Sequence, residues 1–181
     1  HERQGDIRVL AQSPEVSRYV NQASDSNRAN VAQLFQAFCR AYQQYDQVRI
    51  IRFDGEERVR IDYDGRQCLE RPPETLQNKA SRYYFKASMR LAAGEVFISP
   101  LDLNIEQGKI EQPYKPMIRF ATPVRNNQGE IKAVIVLNYL AANILNEISG
   151  SSENPDDTQK GHFNYLLNGD SYYLLSNESP V

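Results

Sequence analysis

The sequence predicts an α+β fold in which a long N-terminal helix packs on a central antiparallel sheet, and three stretches carry that reading. Between residues 27 and 43, Val31, Leu34, Phe35, Phe38 and Tyr42 recur at helical spacing and form the clearest apolar stripe in the chain. Asp54-Gly55 and Asp64-Gly65 each stand between short runs of strand-forming residues, which is the turn chemistry of an antiparallel meander. Ala133-Val134-Ile135-Val136-Leu137 is apolar at every position, and a strand of that kind is covered on both faces.

Taken in order, residues 2 to 22 are helical, with Ile7, Leu10, Val16, Tyr19 and Val20 apolar. A break is expected at Ser13-Pro14, where Ser suits an N-cap and Pro the first position of a new helix. Ser24-Asp25-Ser26-Asn27 ends this segment and caps the striped helix that follows. From residue 47 the period changes to that of strands: 48 to 53, then 58 to 63 with Val59, Ile61 and Tyr63 on one face, then 67 to 70.

Pro72-Pro73 stops the sheet and opens an excursion whose helix, within 76 to 90, ends before Gly94. A strand over 95 to 99 follows, then a long loop or irregular hairpin over 100 to 112 turning at Gly108, and a strand over 117 to 123. Asn126-Asn127-Gln128-Gly129 turns into the buried strand 131 to 140, and 141 to 148 forms a short closing helix. One face of the sheet takes the N-terminal helices. The excursion must cover the other, and it brings Arg82, Tyr83, Tyr84, Phe85, Tyr114 and Lys115, aromatic bodies mixed with cationic ends, the makings of a small-molecule pocket.

Residues 1 to 148 are therefore one domain. Residues 149 to 162 are a polar linker. Residues 163 to 181 hold a hairpin around Asn168-Gly169-Asp170-Ser171, either the start of a second unit or an addition to the first sheet.

Composition narrows the function. The net charge is −2 and both signs are interspersed, so the chain carries no footprint for nucleic acid and no basic stripe for a membrane surface. It has no apolar run of bilayer length and no signal peptide, and beginning at His1 it is expected to be part of a longer protein. His1 and His162 are the only histidines, which argues against a histidine metal site or triad; no cofactor is expected. Ser99 has no histidine nearby to activate it, and the carboxylates Glu95, Asp102, Glu106 and Glu111 are scattered, so catalysis has little support. Cys39 and Cys68 fit no motif spacing; a half-buried free thiol at the flank of the helical stripe is the simpler expectation, with a bridge as the alternative.

The series Arg82-Tyr83-Tyr84-Phe85, Gly94 through Asn104, Pro116 through Val124 and Gly129 through Asn138 resembles the membrane-distal half of double Cache (PDC) domains, the PAS-like extracytoplasmic sensors of bacterial histidine kinases, diguanylate cyclases and chemoreceptors. The order and spacing cover residues 1 to 148, and the tail is similar to the opening hairpin of the family's membrane-proximal half. The resemblance implies a periplasmic sensor held by transmembrane helices in an inner-membrane protein, no enzymatic activity of its own, a small-molecule ligand, and a homodimer through the N-terminal helix. It leaves a periplasmic binding protein as an alternative partner.

Amino-acid-binding members grip their ligand with an Arg-x-Trp-Tyr motif on the excursion helix and an Asp at the end of the last buried strand. The matching run keeps Arg82 but has Tyr84 for Trp and Phe85 for Tyr, and the strand-end position is Asn138. Arg82 suits a carboxylate through a bidentate fork, whereas Asn138 gives up the charge-assisted bond to an ammonium. The candidate ligand-binding residues are Arg82, Tyr84, Phe85, Ser99, Asp102, Arg119 and Asn138. The competing reading for Arg82 is an ion pair holding the excursion, for Arg119 a pair with Asp102 or Glu111, and for Tyr84 and Phe85 simple core packing.

Overall fold

The computed structural model describes residues 2–106, 109–112, 115–141, 165–167 and 173–176. Its helices are α1 (Glu2–Ala11), α2 (Pro14–Asn21), α3 (Asp25–Ala41) and α4 (Tyr83–Ser88). Its strands are β1 (Tyr45–Arg52), β2 (Glu57–Tyr63), β3 (Cys68–Glu70), β4 (Phe97–Ile98), β5 (Asp102–Leu103), β6 (Ile105–Glu106), β7 (Lys109–Ile110), β8 (Pro116–Arg125), β9 (Ile131–Leu140), β10 (Tyr165–Leu167) and β11 (Tyr173–Ser176). The chain divides into two compact units, one comprising residues up to 99 with 118–139, the other 100–117 with the residues from 140 onward.

In the first unit both helix starts are capped as the sequence predicts. Ser13 Oγ accepts from the Val16 N–H at 3.3 Å with Pro14 in the first turn, and Ser24 Oγ accepts from the Asn27 N–H at 3.2 Å. The strands follow the order β3-β2-β1-β9-β8-β4. β1 pairs antiparallel with both β2 and β9, so the unbroken apolar run of β9 is a central strand. The Asp54-Gly55 turn requires glycine twice over: φ is +90°, and a Cβ there would meet the Ala80 backbone nitrogen at 2.5 Å. The start of the excursion docks on this turn, the Lys79 N–H donating to the Gly55 carbonyl at 2.7 Å.

Helix α3 lies against β1, β2 and β3 and brings Cys39 to Cys68, where the two form a disulfide with Cα atoms 6.0 Å apart. This corrects the expectation of a free thiol. The residues are 29 apart in sequence, and only the placement of α3 over the edge strand makes them neighbours.

The register sorts side chains by face. Ile51 lies opposite Val134 and Arg49 opposite Val136, and Ile51, Val134 and Val136 pack with Tyr84, Phe85 and Ala121 under α4. Since alternate residues share a face, Val48, Ile50, Ile135 and Leu137 belong to the side that carries the N-terminal helices.

In the second unit, β5 pairs with the start of β8, Asp102 opposite Met117, and β6 pairs with β7. β10 and β11 pair with one another, Leu166 opposite Leu175, which is the hairpin the tail predicts. The expected turn at Gly108, Tyr114, the closing helix beyond Ala141 and the linker lie outside the described residues.

Candidate functional site

The α4 face of the sheet buries charge. Glu57 on β2 and Arg49 on β1 form an ion pair at 3.2 Å, and both side chains are almost inaccessible to water. A buried ion pair is costly to desolvate and holds only when its remaining donors and acceptors are met. Here the second Glu57 oxygen accepts from the Gln77 N–H at 3.0 Å. Arg49 donates to Asn138 Oδ1 at 2.7 Å, and Asn138 Nδ2 donates to Gln47 Oε1 at 2.9 Å. β1, β2 and β9 thus contribute one connected polar row. At its outer end Arg60 grips Asp62 through two hydrogen bonds of 2.6 and 3.0 Å, and Arg71 reaches the same carboxylate at 2.8 Å.

Tyr84 joins this row to the excursion helix. The guanidinium carbons of Arg49, Arg82 and Arg119 lie 5.7, 5.8 and 5.4 Å from the centroid of its ring, so three cations surround one aromatic side chain. Arg82 is the residue that precedes α4, and Tyr84 lies in its first turn, so the short helix fixes both. Arg119 shares its face of β8 with Ala121 and is 1 % exposed. Its backbone is held from both sides: the Arg119 N–H donates to Ser99 Oγ at 2.8 Å, and the Ser99 N–H donates to the Arg119 carbonyl at 2.9 Å.

Arg82 differs from the other two arginines. It is half-buried, and among the described residues its guanidinium makes no hydrogen bond or ion pair; its contact is the Tyr84 ring. The ion pair considered for it is not found among the described residues, and its planar fork of donors suits a carboxylate.

Five of the seven candidates, Arg82, Tyr84, Ser99, Arg119 and Asn138, belong to this connected cluster. Phe85 is 4 % exposed and sits beside it in the apolar packing with Ile51 and Val134. Asp102 lies in the second unit on β5. Glu111, weighed as a partner for Arg119, forms an ion pair with Lys115 at 2.9 Å. Gln47, Arg49 and Glu57 were not singled out from the sequence. The signal was there in part: Arg49 is a charge between Val48 and Ile50 in a strand whose neighbour is covered on both faces. Among the described residues no group of three His, Cys, Asp or Glu side chains is placed to hold a metal ion.

The sequence family described as the sensor domain of bacterial histidine kinases matches residues 4–179. No curated protein matches in sequence. Among solved structures, the extracellular domain of vpHK1S-Z8, described as a histidine kinase, superposes with a TM-score of 0.77 at 23 % identity, over 98 % of this chain and 62 % of its own. The domain of a sensory box/GGDEF family protein from Vibrio parahaemolyticus gives 0.77 at 24 % identity, over 98 % and 66 %. The ligand-binding domain of a Campylobacter jejuni chemoreceptor, solved in complex with 4-methylisoleucine, gives 0.69 at 10 % identity, over 97 % and 61 %. The chain thus spans about three-fifths to two-thirds of the solved domains it resembles, at identities where likeness speaks for fold. With nearly its whole length matched by the family's sequence pattern, this chain belongs to the sensor domains of bacterial histidine kinases.

Proposed function

We propose that this domain is the periplasmic sensor of a membrane-anchored bacterial receptor and that it binds a small carboxylate at the α4 face of its sheet. The observation that carries the reading is Arg82, a half-buried guanidinium over the Tyr84 ring with no acid partner among the described residues, beside the buried cations Arg49 and Arg119. Arg82 is the bidentate anchor, Tyr84 its platform, and Arg119 a second cationic neighbour; Ser99 and Phe85 hold the walls. The Cys39–Cys68 bridge fits an oxidising compartment.

The amino-acid ligand of the Campylobacter jejuni chemoreceptor does not transfer directly. A ligand ammonium needs an acceptor at the end of the last buried strand, and in this chain Asn138 Oδ1 already takes a hydrogen bond from Arg49. An added ammonium would meet a cation there, so the carboxylate alone is the recognised group.

Signalling is a population shift: ligand favours one arrangement of α4 and the strands beneath it, by its difference in affinity for the two states. The N-terminal helix, paired with its twin in a homodimer, carries the change toward the membrane and a cytoplasmic output module. We assign no catalytic step to the domain.

The test is a thermal-shift screen of organic acids, amino acids, amines and purines against wild type and Arg82→Ala. A ligand at 100 times its Kd adds about 2.7 kcal/mol of stability. A carboxylate that stabilises wild type and not the variant supports the reading. A panel without any shift transfers weight to a periplasmic binding protein as partner, a reading favoured by the burial of Tyr84 and Phe85, which fill the face with the domain's own side chains.

A further inference from the structure

The arginines of the α4 face are not the only ones that converge. A separate cleft of about 200 Å³ opens at the junction of α2 and α3, lined by Tyr19, Ser24, Asp25, Arg28, Arg52 and Arg58. Arg58 owes its place to an irregularity in the sheet. Val59 lies opposite Ile50 and Glu57 opposite Ile51, so Arg58 is the extra residue of a β-bulge, a device that re-aims a side chain.

Two of the three arginines have acids of their own. Arg28 pairs with Glu70 at 2.6 Å, and Arg52 pairs with Asp54. Arg58 has none within 4.0 Å among the described residues, and its Nε is buried without a hydrogen bond. Tyr19 is 8 % exposed and lines the cleft, and its hydroxyl makes no hydrogen bond among the described residues. Burial raises the pKa of Tyr19 above the usual tyrosine value while Arg58, Arg52 and Arg28 pull it the other way, so all three cations act on this hydroxyl. The one carboxylate in the lining, Asp25, is exposed and screened by water.

We propose that this cleft is a second binding site, specific for a small oxyanion of the phosphate class, with the Arg58 guanidinium and the Tyr19 hydroxyl as its principal donors. The groups without a hydrogen bond at the cleft are donors, the buried Nε–H groups of Arg58 and Arg52 and the Tyr19 O–H, and an oxyanion is the ligand that accepts from several of them at once. A cation finds Asp25 exposed to water there and the carboxylates of Glu70 and Asp54 already paired with Arg28 and Arg52. The site does not depend on the carboxylate reading of the α4 face, because it shares none of those residues.

The experiment is isothermal titration of inorganic phosphate, and separately sulfate, into the 181-residue chain at low ionic strength, with Arg58→Gln, Arg58→Lys, Tyr19→Phe and Arg119→Ala. Saturable one-to-one binding to wild type is expected. Removing the Arg58 fork lowers the association constant at least tenfold, as expected for hydrogen bonds to a charged group. Arg58→Lys retains part of the affinity, Tyr19→Phe loses about threefold or more, and Arg119→Ala is unchanged. The melting temperature of Tyr19→Phe without phosphate serves as the control for folding. Phosphate binding that is equally strong in Arg58→Gln and Tyr19→Phe would overturn the proposal, as would the absence of saturation up to about 10 mM, weaker than any useful site. Weakening by Arg119→Ala instead would move the anion to the α4 face and likewise sink it.

Discussion

The two faces of one sheet are built to opposite rules. Toward the N-terminal helices, Val48, Ile50, Val59, Ile61, Ile135 and Leu137 present an apolar surface to α3. Toward α4, the same strands bury Gln47, Arg49, Glu57 and Asn138, with Arg119 from β8. The first arrangement needs no explanation beyond the hydrophobic effect. The second works against stability, since each buried charge has to recover its lost hydration, and apolar residues of the same volume would do as well or better. Such a cost is carried where a site has a task, and this is why the ligand site is proposed under α4.

The sharpest way to break this contrast is to unbalance the buried pair. Glu57→Ala leaves Arg49 without its carboxylate and is expected to cost about 4 kcal/mol in urea unfolding. Replacing Arg49 by Met and Glu57 by Leu together is expected to cost little or to stabilise, while abolishing ligand response. If the double variant is as unstable as Glu57→Ala, the polar row is structural and the contrast between the faces loses its meaning.

On the helix face a covalent bond, the disulfide, adds to packing. It closes a loop of 29 residues, for which chain entropy predicts about 3 to 4 kcal/mol. Reduction, or Cys39→Ala with Cys68→Ala, should lower the unfolding midpoint accordingly without changing ligand affinity. A loss of affinity on reduction would show that the faces are coupled.

The smallest effect separates a buried pair from an exposed one. Arg52 and Asp54, at the rim of the hairpin, are the same chemical pair as Arg49 and Glu57 but open to solvent. The hydrogen bond from Arg52 holds the Asp54 carboxyl down to about 2. A depressed pKa gives stability that is present above the unfolded value, roughly 3.9, and is lost as pH falls toward about 2. Asp54→Asn should therefore lower stability at pH 7 by a small amount, since the pair is open to solvent, and converge with wild type as pH falls toward about 2, as followed by unfolding at a series of pH values.

What the sequence made legible was local. The Ser13 and Ser24 caps, the Asp-Gly turns, the stripe of α3 and the unbroken run of β9 each announce themselves within a few residues, and each is where the structure has it. What it hid was pairing at a distance. Cys39 meets Cys68 only because α3 crosses β3. Glu57 faces Arg49 only because the bulge at Arg58 shifts the register of β1 and β2 by one residue, and a one-residue shift exchanges the faces of a strand. Asn138 and Gln47 lie 91 positions apart. Arg82, Tyr84, Arg119 and Asn138 were found through resemblance and alternation, whereas the acid and base that hold them together lay beyond both.

The proposed site at the α4 face recognises a carboxylate and not an ammonium. Its most direct test is calorimetric titration of matched ligands with and without an α-amino group, propionate against alanine and succinate against aspartate, into wild type and Arg82→Ala. An amine-free acid is expected to bind wild type, its amino counterpart to bind more weakly, and Arg82→Ala to weaken the acid at least tenfold. Tighter binding of the amino acids, or an acid whose affinity is untouched by Arg82→Ala, would contradict it.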